Sequence, residues 1–106
     1  MNQKLQIILQ KTAQSLKKLY GPKMDKLILF GSQARGDAQP DSDIDILIVL
    51  KPPFNYSQES DRISELIANL CLEYNTLISC AFTTSNQFYY HDNGFLRNIR
   101  REGIIL

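Results

Sequence analysis

The chain has 106 residues, of which 43% are hydrophobic and 22% are charged, and its formal net charge is +1. That length predicts one domain over residues 1–106 and leaves no space for a second substrate-binding domain. The small net charge provides no basic field for nucleic acid, so no direct nucleic-acid partner is expected. The apolar runs are too short to cross a bilayer and the N-terminus lacks a signal-peptide pattern, which together predict a cytoplasmic protein without a membrane contact.

The first half of the chain predicts one helix and two strands. Apolar residues recur at helical spacing over about residues 2–19, and Gly21-Pro22 ends that pattern. The short apolar run over residues 26–30 predicts a buried strand. Residues 31–42 are mostly small and polar, which indicates a loop or a loop plus a helical turn. Residues 44–50 are β-prone and apolar on both faces, as in an interior strand.

The second half predicts a helix, a strand and further helical segments. In chain order these are a helix capped by Ser57 and ending near Asn75, a strand over residues 76–83, a helical turn over residues 85–89, a helix over residues 95–101 closed by Gly103, and an apolar tail over residues 104–106. The order of elements predicts an α/β (α+β) fold, with one small sheet of at least three strands flanked by helices.

Two aspartates open the second predicted strand. Successive strand side chains alternate between faces, so Asp43 and Asp45 share one face while Ile44 and Ile46 take the other. Neighbouring carboxylates repel each other, so either a positive group sits between them or this end of the strand is open to water. Carboxylate oxygens suit Mg²⁺, which completes its coordination with water and substrate phosphates. Asp43 and Asp45 are therefore predicted to be metal ligands and the catalytic carboxylates.

A Gly-Ser turn ends the first predicted strand, ten residues before the aspartates. Gly31 lets the backbone approach a phosphate closely, and nearby N–H groups with the Ser32 hydroxyl can bind phosphate oxygens. Arg35 is the cation of this loop and can add a charge-assisted contact. With Ser42, which precedes the aspartate pair, these residues are predicted to bind the nucleotide. Gly-Ser or Asp-x-Asp alone is a weak signal; their combination between two strands is specific.

The segment from Leu29 to Leu50 resembles the signature of the DNA polymerase β-like nucleotidyltransferase superfamily, Gly-Ser followed after a gap by Asp-x-Asp. It is most similar to the minimal nucleotidyltransferase (MNT) proteins, with weaker matches over residues 70–79 and 95–103. The resemblance implies a nucleotidyltransferase fold with a small mixed sheet, and an Mg²⁺·ATP site built from the Gly-Ser and Asp-x-Asp elements. It also implies transfer of a nucleoside monophosphate to a hydroxyl, with release of pyrophosphate.

The same resemblance implies a biological partner. Minimal members commonly pair with a small helical HEPN protein in a toxin–antitoxin module, in which some MNT proteins transfer AMP to a tyrosine of the toxin. The expected partners of this chain are therefore a HEPN-type toxin and a nucleoside triphosphate. The sequence leaves open whether the protein forms a homo- or hetero-oligomer.

The third predicted strand departs from the family pattern. Active members usually carry a third carboxylate there, which binds metal and takes the proton of the attacking hydroxyl. Residues 75–84 contain no acid, and Ser79 stands where the acid is expected. Glu73 and Asp41 are the nearest substitutes in the sequence, but solvated surface positions are favoured for both.

Three hypotheses follow from this pattern. The first is an Mg²⁺-dependent adenylyltransferase acting on a partner protein. The second is a binding module that has lost turnover and acts by sequestering its partner. Transfer to a small molecule is disfavoured, because a chain of this length is not expected to have a second domain that holds such an acceptor. A second subunit of an oligomer could supply that part of the acceptor site.

Overall fold

The computed structural model describes residues 2–39 and 41–106; Met1 and Pro40, which belong to the predicted domain and the predicted loop, lie outside them. The elements in chain order are α1 (Gln3–Tyr20), a 3-10 turn (Gly21–Lys23), β1 (Met24–Phe30), α2 (Ser32–Arg35), β2 (Ile44–Leu50), α3 (Tyr56–Tyr74), β3 (Ile78–Thr84), α4 (Ser85–Tyr90), α5 (Gly94–Glu102) and β4 (Ile104–Ile105).

The strands form one mixed sheet in the order β3-β2-β1-β4. β1 runs antiparallel to β2 and to β4, whereas β2 and β3 are parallel. The parallel pair needs a crossover, which α3 supplies. As a result, the C-terminal end of β1 and the N-terminal ends of β2 and β3 lie together at one end of the sheet. The α/β fold with a small mixed sheet and flanking helices is confirmed.

Each face of the sheet carries its own apolar layer. On one face, α1 and α3 pack against side chains that include Leu29, Ile46 and Ile48. On the other face, α4 and α5 pack against Leu47 and Val49. All five of these strand residues are fully buried. Each fully buried aliphatic side chain contributes about 1.5–3 kcal/mol of transfer free energy. β2 is therefore the interior strand that its apolar sequence predicts.

Helix ends follow local capping chemistry. The side chain of Asn55 accepts a hydrogen bond from the backbone N–H of Gln58 at 3.0 Å, so the cap of α3 lies two residues before the predicted cap, Ser57. Likewise, Thr84 caps α4 through the N–H of Gln87. Gly21 has φ 55° and closes α1 as predicted. No helix among the described residues has the length and apolar character needed to span a membrane.

The apolar tail contributes a strand that its sequence did not predict. Ile104–Ile105 pairs with Leu29 and Ile28 of β1, and the N–H of Leu106 donates to the carbonyl of Leu27 at 2.8 Å. Two residues are too few for a recognisable period-2 pattern, so this pairing depends on where α5 ends. The sheet consequently has four strands, consistent with the prediction of at least three.

Candidate functional site

The predicted site residues lie at the end of the sheet where β1 ends and β2 and β3 begin. Gly31 follows β1 directly and is the N-cap residue of the four-residue helix α2. Asp45 is the second residue of β2 and pairs in register with Phe30 of β1. Residues paired in register project to the same face, so Asp45 lies on the face that α4 and α5 partly cover. The Gly-Ser turn after β1 and Asp45 at the start of β2 therefore lie at the same end of the sheet.

Gly31 is held against Asp45 in a backbone conformation that favours glycine. Its φ is 75°, in the region where side chains are strained. A Cβ built on Gly31 would lie 2.5 Å from Asp45 Oδ2, closer than real Cβ contacts. The main chain and a carboxylate oxygen thus share a space that no side chain of Gly31 could enter. Two independent constraints, conformation and proximity, require glycine at this position.

The electrostatic environment of Asp45 disfavours its ionised form. Desolvation by burial raises its pKa, the neighbouring charge of Asp43 raises it further, and the guanidinium of Arg35 lowers it. Asp43 itself is exposed, and Asp45 is half-buried. A divalent cation bound to both carboxylates would stabilise their ionised forms, and carboxylate oxygens are ligands that Mg²⁺ prefers. The residues present therefore fit Mg²⁺ in donor chemistry and charge.

Arg35 lies at the end of α2 and is held by two carboxylates. Its Nε is 3.2 Å from Asp37 Oδ2, and its Nη1 is 3.8 Å from Glu102 Oε2. The side chain is 45% exposed, so these ion pairs are screened by solvent and contribute little to stability. Arg35 can therefore exchange either carboxylate for a more highly charged anion.

The two predicted serines have different environments. Ser32 begins α2 and is half-buried, and its carbonyl accepts the N–H groups of Gly36 and Asp37 at 3.0 and 3.2 Å. The hydroxyl of Ser42 accepts the N–H of Gln39 at 2.8 Å. Ser42 is thus engaged in holding the loop in shape, whereas Ser32 adjoins Gly31 at the turn.

Three of the six predicted site residues line clefts, and these three divide between two clefts. The smaller, of about 250 Å³, is lined by Gly31 and Arg35 together with Phe30, Phe95 and other residues of α5. The larger, of about 690 Å³, contains Ser42 and apolar side chains of α1 and α3. Of the pair, the smaller cleft adjoins the Asp45 face, because Phe30 is the register partner of Asp45. The larger cleft is the roomier space, but it is lined by neither Gly31 nor Asp45.

β3 places Ser79 beside the aspartates. Ser79 is the register partner of Asp45 in the parallel pairing, and it is exposed. β3 contains no acidic residue. Among residues 2–39 and 41–106, no group of three or more histidines, cysteines or acids is arranged to hold a metal ion. In the described part of the chain, the register position beside Asp45 on β3 is therefore taken by a serine.

Several residues at the site were not predicted from the sequence. Phe95 of α5 packs edge-on against Phe30 at 5.6 Å between ring centroids, and Glu102 reaches Arg35. Gln33 donates from Nε2 to the carbonyl of Ser42 at 3.2 Å and so joins α2 to the end of the loop. Gln33 lies inside the motif and could have been named from it. The α5 residues carry no local signal, because only the tertiary fold brings them to Gly31.

Comparison with known proteins identifies the family. The model for "Nucleotidyltransferase domain" matches residues 9–101. A Methanocaldococcus jannaschii protein named "Putative protein adenylyltransferase MJ0604" is 39% identical over 93 residues, which span 87% of each chain. A second protein of that organism with the same activity name, MJ0141, is 42% identical over 57 residues, covering 54% of this chain and 57% of its own length.

Solved structures share the fold at lower sequence identity. A "putative minimal nucleotidyltransferase" matches with a TM-score of 0.63 and 21% identity over 100% of this chain and 97% of its own. A structure of "the toxin-antitoxin with AMP-PNP" matches with a TM-score of 0.62 and 18% identity over 90% of this chain and 69% of its own. These structures show a common fold. The family match over residues 9–101 and the 39% identical relative show that the chain belongs to the nucleotidyltransferase domain family.

Proposed function

We propose that this protein is an Mg²⁺-dependent adenylyltransferase that transfers AMP from ATP to a hydroxyl, preferably a tyrosine, of a partner protein. The observation that supports the proposal is the close approach of Gly31 to Asp45, where a Cβ added to Gly31 would lie 2.5 Å from Oδ2. In this proposal the Gly31 turn binds phosphate, and the neighbouring aspartates bind the metal. Support for a protein acceptor comes from the 39% identical relative, whose name is that of a protein adenylyltransferase.

In this proposal each element has a separate task. The turn at Gly31 and Ser32 binds the β- and γ-phosphates, and Arg35 leaves Asp37 or Glu102 to contact phosphate oxygens. Asp43 and Asp45 hold Mg²⁺, which when bound offsets the negative charge of the triphosphate and of the carboxylates. Ser42 contributes by shaping the loop that leads into Asp43. Asn substitution of either aspartate should therefore remove metal binding while leaving the fold intact.

The reaction is an in-line substitution at the α-phosphorus. The acceptor oxygen forms the new P–O bond, the bond to the bridging α–β oxygen breaks, and pyrophosphate leaves. The hydroxyl proton passes to solvent, because β3 offers no carboxylate base and a serine hydroxyl is a poor base at neutral pH. We therefore expect slow turnover compared with a site that has a third acid.

The proposed biological role is that of an antitoxin. The solved neighbours include two toxin–antitoxin structures with TM-scores of 0.62 and 0.59, although their 18–19% identity supports only a common fold. We propose a small helical HEPN-type toxin as the acceptor, and modification of its hydroxyl as the neutralising event in the cytoplasm.

The activity can be tested with labelled ATP, Mg²⁺ and the product of the adjacent gene. The expected result is label on that product with wild-type protein, and none with Asp43→Asn. If the product stays unlabelled, and Asp43→Asn still neutralises it, the catalytic proposal is wrong.

A second candidate function is neutralisation by sequestration, without turnover. The observation that favours it is Ser79, which occupies the register position next to Asp45 where a third ligand would be expected. In that case the Asp43→Asn variant should bind and neutralise the partner as well as wild type does. Transfer by the wild-type protein at the rate of enzymes with three carboxylates would contradict this alternative.

A further inference from the structure

The two edges of the sheet differ in how they are protected. β4 has only two residues, and proteins use such short edge strands to limit pairing with other chains. β3 has seven residues, contains no proline and no charged side chain, and pairs with β2 without a register shift. The sheet has no strand beyond β3 among the described residues. β3 therefore lacks each of the usual sequence features that prevent an edge strand from pairing.

The outward-facing backbone groups of β3 can be assigned from its hydrogen bonds. The carbonyl of Leu77 accepts the N–H of Ile44 at 2.8 Å and so faces β2. The N–H of the next residue, Ile78, donates to Cys71 Sγ at 3.3 Å, away from β2. Since backbone groups alternate in direction along a strand, those of Ser79 and Ala81 face β2, whereas those of Cys80 and Phe82 face outward.

We propose that this outer edge of β3 is the docking site of the protein acceptor, which binds as an added strand. The inference deepens the proposed transferase function and rests on it for the identity of the occupant. The occupant is an extended, β-prone segment of the acceptor that lies outside its helices and has a tyrosine opposite Ser79. Strand addition is a general mode of peptide recognition, in which main-chain hydrogen bonds provide affinity.

The register of the sheet connects this edge to the aspartates. Ser79 is the register partner of Asp45, so a residue opposite Ser79 lies on the same face, one strand farther out. With strands about 4.8 Å apart, its backbone is about 10 Å from that of Asp45. Ser79 is small and exposed and leaves the path across β3 open. A tyrosine side chain covers most of that distance and the Asp45 side chain covers the rest, whereas a serine or threonine is too short.

The approach to this edge is apolar. Leu72, near the end of α3, is 82% exposed, and Leu77, immediately before β3, is 55% exposed. Both line the larger cleft together with Asn75 and Thr76. Exposed aliphatic side chains beside an unpaired strand favour an occupant with apolar residues flanking its tyrosine. An acidic or highly charged segment would gain nothing from these contacts.

The test uses amide hydrogen exchange of ¹⁵N-labelled protein without Mg²⁺ or ATP, so that it does not depend on catalysis. The probe is a capped heptapeptide of alternating threonine and valine with tyrosine at its centre, at millimolar concentration. We expect exchange at the Cys80 and Phe82 amides to slow by about tenfold or more, while Ser79 and Ala81 change little. Unchanged exchange at Cys80 and Phe82 would overturn the proposal.

Matched variants provide the control. Cys80→Pro removes one outward N–H from an edge strand, where proline is tolerated, and Cys80→Val keeps it. The valine variant should retain peptide protection at Phe82 and the proline variant should lose it; equal protection in both contradicts strand addition. Should the proline variant unfold, the wild-type exchange data still decide.

Addition of ATP and Mg²⁺ separates the two proposals. Protection of the outer amides without AMP transfer to the peptide would refute the transferase activity and leave the docking edge intact. AMP transfer without protection would refute the docking edge and leave the enzyme. A peptide whose tyrosine is replaced by serine should protect the same amides but accept at least about tenfold less AMP, because its hydroxyl does not reach the aspartates.

Discussion

Ser79 lies beside Asp45 in the parallel pairing of β2 and β3, on the same face of the sheet and exposed to solvent. This position is open to a ligand, to an acceptor or to a longer side chain. In the proposed reaction, this position bears on both the proton acceptor and the route of the protein substrate.

The first prediction concerns a carboxylate at this position. Ser79→Asp should add a third acid next to Asp45, able to bind metal and to take the acceptor proton. General base catalysis typically contributes about 10²–10⁴-fold, so we expect the AMP-transfer rate to rise by at least about tenfold. Ser79→Asn, of similar size but without charge, is the control. Equal rates in the two variants would show that a base here is not what limits transfer.

The second prediction concerns the approach of Gly31 to Asp45. Gly31→Ala should destabilise the protein by about 2–4 kcal/mol, because it combines a strained positive φ with a clash. Gly36 also has a positive φ, 84°, but a Cβ there would meet nothing within 4 Å. Gly36→Ala should therefore lose only about 1 kcal/mol. Urea unfolding of both variants measures the difference, and equal losses would contradict a specific Gly31–Asp45 contact.

The third prediction concerns pH. The pKa of Asp45 is raised in the folded protein, so its ionisation opposes folding: the favourable contribution of the protonated group is complete below its ordinary pKa of 3.8 and is lost as pH rises through the folded value. Without metal, Asp45→Asn should therefore melt at a higher temperature than wild type at neutral pH. This increase in melting temperature should become smaller at acidic pH.

Thermal melts across this pH range, with Asp41→Asn as an exposed control, measure the effect. Excess Mg²⁺ should raise the melting temperature of wild type and leave that of Asp45→Asn unchanged. A variant that is less stable than wild type at neutral pH would contradict the raised pKa.

The fourth prediction concerns Arg35, which should contact the triphosphate. Arg35→Gln should weaken ATP binding by about tenfold, since a charge-assisted hydrogen bond contributes about 1.5–3 kcal/mol. Arg97→Gln on α5 is the control, because Arg97 pairs with Asp92 at 3.3 Å and does not line the cleft at Gly31. Similar ATP affinities in the two variants would exclude Arg35 from the site.

Much of the fold could be predicted because each main element has a local signal. The alternation of Asp43, Ile44 and Asp45 predicts a strand that opens with two acids, and β2 in fact begins one residue later, at Ile44. The apolar sequence of β2 indicates its interior position. The cap at Asn55 was missed because Ser57, two residues later, is an equally good capping residue by type.

The site was less predictable than the fold, because some of the residues that line the cleft at Gly31 come from a distant segment of the chain. Phe95 and Glu102 reach Gly31 and Arg35 only because β4 pairs with β1 and holds α5 over that end of the sheet. Nothing local to residues 94–105 indicates this contact. The position of Ser79, by contrast, follows from the family resemblance, which implies a third acid there, and in the structure Ser79 pairs with Asp45.

The most direct test of the central claim is calorimetric titration of ATP with and without Mg²⁺. We predict that wild type binds Mg²⁺·ATP and that removal of the metal with a chelator abolishes binding. We also predict that Asp43→Asn/Asp45→Asn lowers affinity by at least about tenfold, whereas Asp41→Asn does not. Equal Mg²⁺·ATP affinity in the double variant and wild type would contradict the claim that this aspartate pair holds a metal-bound nucleotide.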